Sequence, residues 1–108
     1  MSIVDADLVK AHLRLDDDSP DGDLVAAYQS AAEEAAIQYL ARPVFATQLE
    51  VDESADENAM LVNASFTAAV MYAVAAMYNK REDATADVSQ FPQESRRFLD
   101  PFRVGQGV

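Results

Sequence analysis

Apolar positions along this chain recur at helical spacing in three long stretches and at strand spacing in one. The first helical stretch opens on Asp5, a good N-cap residue, with Asp7 in the turn that follows. Leu8, Val9, His12 and Leu13 then fall at i, i+1, i+4 and i+5 on one stripe, and Asp16-Asp17-Asp18-Ser19-Pro20 ends the helix with turn formers and like charges. A second helix begins between Pro20 and Asp23 and runs to Ala41. Its predicted stripe is Leu24, Tyr28, Ala31 or Ala32, Ala35, Tyr39 and Leu40, with Glu33 and Glu34 marking the outer face. Arg42-Pro43 closes it, because proline disfavours the α region at the residue before it.

The pattern then changes. Phe45, Thr47, Leu49 and Val51 alternate with Ala46, Gln48 and Glu50, and the acidic stretch 52–58 follows. A lone strand cannot satisfy its own backbone groups. The segment 44–51 is therefore either an extended loop packed on the helices or a short β segment paired with a neighbouring copy. A third helix spans roughly 58–81 and is apolar on most of its circumference. Met60, Leu61, Ala64, Ala68, Met71, Ala75 and Tyr78 make one face, extended by Phe66, Val70, Val74 and Met77. A helix of that kind must be covered on several sides. After a polar loop at 83–90, a short fourth helix runs from Pro92 to Phe98 or Leu99 and stops at Pro101. The expected fold is all-α: one domain over residues 1–108, a compact bundle of four helices near 5–15, 21–41, 58–81 and 92–99, the third central.

Composition supports that class. Twenty of 108 residues are alanine, the best helix former and a poor core filler, against three glycines and four prolines. Long helices with thin side-chain layers between them follow. The uncharged run from Ala59 to Tyr78 has the length of a bilayer span, but seven alanines and Asn63, Ser65, Thr67 and Tyr72 make it a central helix instead. The start of the chain carries no basic and apolar signal-peptide pattern.

Nineteen acids against eight bases leave a net charge of −11, which excludes free association with nucleic acid through phosphate contacts. Cysteine is absent. The acids between Asp16 and Asp23 fail as a calcium loop, because Pro20 interrupts it and Tyr28 stands where the bidentate carboxylate belongs. His12, the only histidine, has Lys10 and Arg14 as near neighbours rather than carboxylates at ligand spacing, so it reads as partly buried packing. No phosphate loop or nucleophile motif is present, and neither catalysis nor a cofactor is expected. Arg96 and Arg97, with Arg103 nearby, are the one basic concentration; three arginines suit carboxylates on a protein partner.

The motifs that remain resemble a known family. Residues Leu8 to Asp18, a leucine-arginine step into an acidic turn, look like the start of the head–tail connectors of long-tailed bacteriophages. Similar stretches follow in order at Asp23-Leu24, at Tyr39 to Pro43, at Met77 to Glu82, at Phe91-Pro92 and at Leu99 to Arg103, while 44–58 carries none. The resemblance implies a structural virion protein: a homo-oligomeric ring beneath the portal that extends the DNA channel and offers a surface to the next connector or tail protein. It implies assembly in the host cytoplasm, residence at the head–tail junction and no membrane contact.

On that footing Phe45, Leu49, Val51, Phe66 and Val70 are expected at the subunit interface. The segment 96–108 is expected to be a portal-docking arm using Arg96, Arg97, Phe98, Phe102 and Arg103. Acids of one of two turns, Asp16 to Asp23 or Glu50 to Glu57, are expected to line the channel, with Asp16, Asp17 and Asp18 favoured. The alternative class is a small acidic regulatory protein binding a basic partner.

Overall fold

A computed structural model describes residues 3–14, 21–80 and 92–104. It is all-α apart from two short strands, in the order α1 (Ala6–Leu13), α2 (Gly22–Leu40), β1 (Val44–Phe45), α3 (Gln48–Glu53), β2 (Met60–Leu61), α4 (Ala64–Lys80) and α5 (Gln93–Leu99), ending in a 3₁₀ turn at Asp100–Phe102. α4 is central: α1, α2 and α5 all pack against it. Its residues Phe66, Ala69, Val70, Ala73 and Val74 are buried, at i, i+3, i+4, i+7 and i+8, and form one continuous inward face. Buried Val25, Ala32, Ala36 and Leu40 of α2, Val9 of α1 and Leu99 of α5 complete the core around it.

Local chemistry sets most element ends. Asp5 caps α1 by accepting from the Asp7 amide at 2.9 Å. Asn63 does the same for α4, its Oδ1 accepting from the Phe66 amide at 2.8 Å, which is why that helix begins at Ala64 rather than near residue 58. Both Arg14 and Ala41 close their helices in the left-handed region, at φ 59° and 58°. Neither is glycine, so each holds a conformation that costs an L-residue about 1 kcal/mol.

Three expectations need correction. The stretch 44–51 is neither one extended loop nor one strand. Val44 and Phe45 pair in parallel with Met60 and Leu61 of the same protomer, with the Met60 amide donating to the Pro43 carbonyl at 3.0 Å and the Val62 amide to Phe45 at 2.9 Å. A helix follows at once, because Thr47 and Glu50 form a reciprocal capping box. Secondly, Phe66 and Val70 are fully buried in the protomer's own core and present nothing to a neighbour.

Thirdly, the buried stripe of α2 is displaced by one residue from the expected one. Val25, Gln29, Ala32, Glu33, Ala36 and Leu40 face inward, while Leu24 and Glu34 face out. Glu33 is interior because it has work there: its carboxylate accepts from the Ile3 amide at 3.1 Å and from the Val4 amide at 2.8 Å. Gln29 completes the clamp by donating to the Val4 carbonyl at 2.7 Å. On α1, Val9 is buried while Leu8 and His12 are exposed, so the histidine is not packed.

Two stability changes of opposite sign follow. Glu33→Ala strands two backbone amides and should cost about 2 kcal/mol in denaturant unfolding, with amide exchange at Ile3 and Val4 accelerated first. Ala41→Gly removes the left-handed penalty and should stabilise by roughly 0.5–1 kcal/mol, read as a rise of a few degrees in Tm.

Candidate docking surfaces

α5 is a two-sided helix. Ser95 and Leu99 are buried, and the Ser95 hydroxyl donates to the Ala69 carbonyl of α4 at 2.7 Å, which fixes the helix against the core. Gln93, Glu94, Arg96, Arg97 and Phe98 face outward. The Phe98 ring lies 5.7 Å from that of Tyr72 on α4, tilted by 36°, and both aromatics keep a large exposed area, 37% and 48%. On the other flank, Tyr39, Gln93, Arg96, Arg97 and Asp100 line an open cleft of about 360 Å³.

The residues beyond α5 are strapped to the protomer. The Val104 amide donates to the Leu40 carbonyl at 2.9 Å. Arg103 donates through Nε to the Tyr39 carbonyl at 3.0 Å, and its guanidinium sits 4.6 Å from the centre of the Tyr39 ring. Arg42 donates to the Phe102 carbonyl at 3.1 Å and to the Asn58 carbonyl at 2.6 Å, joining this strap to the end of the acidic loop. The Tyr39 hydroxyl donates to the Asp100 carboxylate. That bond, with burial added and the negative charge of Asp100 nearby, raises the Tyr39 phenol above its ordinary pKa.

Of the five residues expected in a docking arm, therefore, Arg96, Arg97 and Phe98 are presented outward. Phe102 packs partly against the core and Arg103 is engaged by Tyr39. The segment is not a free arm as far as Val104; residues 105–108 lie outside the described ones. Tyr72, Gln93 and Asp100 were absent from the expectation. For Tyr72 the signal was present, since it falls off the stripe that Phe66, Ala69, Val70 and Ala73 define.

The second surface is the projection formed by α3 and β2. α3 has no buried residue and packs on the two strands. Leu49 is 65% exposed and Leu61 40%, surrounded by exposed Glu50, Asp52, Glu53, Asp56 and Glu57. Of the residues expected at a subunit interface, Leu49 is outward while Phe45 and Val51 are half-buried. Asp16, Asp17 and Asp18 lie outside the described residues. Among the described residues no three His, Cys, Asp or Glu side chains gather to hold a metal, and no helix is long and apolar enough to cross a membrane.

A small helical bundle with two outward surfaces of opposite character, one acidic and aliphatic, one cationic and aromatic, belongs to the class of protein-docking modules. Comparison with family models makes this specific: the family described as Phage gp6-like head-tail connector protein matches residues 5–103. The chain belongs to that bacteriophage head–tail connector family. No curated protein and no solved structure matches it.

The Tyr39–Asp100 bond is testable by titration. A neutral phenol favoured in the fold contributes stability that is present below the ordinary tyrosine pKa of about 10 and is lost as pH rises through the raised folded value. Ultraviolet titration should show one of the four tyrosines ionising late, and Asp100→Ala should abolish the delay.

Proposed function

We propose that copies of this chain form a ring beneath the portal vertex of a phage head, extend the DNA channel and join the head to the next connector or tail component. The observation that carries this reading is the family match over nearly the whole chain. Two outward surfaces on one small protomer also support it, because a ring subunit must meet a neighbour on each side. In this reading the portal and a downstream tail protein are the further partners, the virion's head–tail junction is the location, and subunits gather in the host cytoplasm. DNA passes through without specific binding.

The net charge of −11 suits passage rather than grip, since a carboxylate wall repels phosphates at short range. We assign that role to the turn holding Asp16, Asp17 and Asp18. The other acidic turn, Glu50 to Glu57, forms part of the α3 projection and is left for protein contact.

Particles assembled without this chain should be DNA-filled heads that lack tails and leak, and immunogold labelling of intact particles should mark the head–tail junction. Label on the capsid faces or the tail tip would overturn the reading. Asp16→Lys, Asp17→Lys and Asp18→Lys together should permit assembly but slow DNA ejection. The defect should ease as salt shortens the screening length from its roughly 8–10 Å at physiological strength. Ejection at the parent rate in low salt would remove these acids from the channel.

A further inference from the structure

The two outward surfaces differ from each other and complement each other. From Pro43 to Asn79 the chain has no Lys or Arg, so the α3 projection holds no cation to offset its carboxylates. Leu49, Asp52 and Glu53 fall at i, i+3 and i+4 and share one face of α3, placing an aliphatic anchor beside two acids. The outer side of α5 supplies the counterpart. Among the described residues Arg42 and Arg103 are occupied with carbonyls, while Arg96 and Arg97 point outward. Next to them the Tyr72–Phe98 pair forms an apolar platform. Glu94 is also exposed on α5, so the cationic character is confined to the Arg96–Arg97 flank, and this polarises the surface.

We infer that these surfaces mate between neighbouring copies: the α3 projection of one protomer seats on the outer face of α5 of the next. Leu49 rests on the Tyr72–Phe98 platform, and Asp52 and Glu53 face Arg96 and Arg97. This rests on the ring reading above and names the partner of the cationic–aromatic surface as a second copy rather than the portal.

Three features favour that occupant. Both halves of the contact are on the same chain. Neither surface fits a copy of itself, because acid would meet acid or guanidinium meet guanidinium. A contact between two unlike patches is heterologous, and such contacts propagate head to tail until rotation closes them into a ring. Guanidinium–carboxylate pairs at the rim of an apolar anchor also set register and direction, which a closed ring needs.

The absence of cysteine allows a direct test. The chain carrying both Leu49→Cys and Phe98→Cys, oxidised mildly in assembled particles and in concentrated solution, should give a ladder of covalent multimers. Mixing the two single variants should give dimers only, and each single variant alone should give none. Tyr72→Cys stands in for Phe98→Cys if the latter fails to fold.

Charge reversal gives an independent reading. Arg96→Glu with Arg97→Glu, or Asp52→Arg with Glu53→Arg, should each weaken self-association at least about tenfold, and mixing the two variants should restore it.

Linking of a single variant to itself, or a Phe98→Cys bridge to the portal in place of Leu49→Cys, would overturn the proposed seating. If the parent is recovered from particles as a ring but the paired cysteines give no product, the seating is wrong and the ring reading stands. If the parent is recovered as an isolated protomer bound one-to-one, the ring reading fails and the seating fails with it.

Discussion

Close approach to α4 is the constraint on which the bundle depends. Three helices must reach a central helix whose inward face includes Ala69 and Ala73, and α2 presents Ala32 and Ala36 to the same core. Side chains this small leave thin layers between backbones, so packing contact comes from proximity more than from interlocking bulk. The hydrogen bond from Ser95 to the Ala69 carbonyl shows how near α5 comes, since a short hydroxyl can reach a helix carbonyl only where no larger side chain intervenes. Phe66, Leu40 and Leu99, the largest of the fully buried side chains, fill the space the alanines leave. A core of this kind tolerates little enlargement at its alanine positions.

With the apolar layer so thin, polar contacts fasten the two ends of the described chain. Both are tied to α2. At one end Glu33 and Gln29 hold the backbone of Ile3 and Val4. At the other, Leu40 and Tyr39 hold Val104 and Arg103, and Arg42 reaches across to Phe102. A buried carboxylate facing backbone amides is costly to desolvate, yet each amide it receives is one that would otherwise be unpaired. Among the described residues no buried side-chain nitrogen or oxygen lacks a partner. This division of labour leaves α3 and the outer face of α5 unused by the fold, and those are the surfaces assigned above to assembly.

The charge distribution has the same logic. Acids dominate the chain, and the few arginines divide into two groups: Arg42 and Arg103 act as internal straps, while Arg96 and Arg97 face outward. In the proposed ring, two guanidinium groups per protomer give direction to subunits that otherwise repel one another, which opposes indiscriminate clumping before assembly.

The amino-acid sequence by itself determined the all-α class, the central place of the helix after residue 60, the capping role of Asp5 and the family, because composition, helical period and ordered motifs are properties of the chain alone. It also marked Arg96, Arg97, Phe98 and Leu49 as outward, through charge and pattern. The capping box at Thr47 and Glu50 was legible too, but strict alternation through the same residues pointed to a strand, and local hydrogen bonding won. Only the tertiary structure decided which face of α2 turns inward. Gln29 and Glu33 are polar, so any reading by hydropathy turns them to solvent; they are interior because the N-terminal backbone, distant in sequence, brings its amides and carbonyl to them. The same holds for Phe66 and Val70, which periodicity left available to a neighbour until α2 and α5 covered them, and for Arg103, whose partner Tyr39 lies 64 residues away. Contacts between distant segments leave no periodic trace, and so they become visible only once the chain has closed on itself.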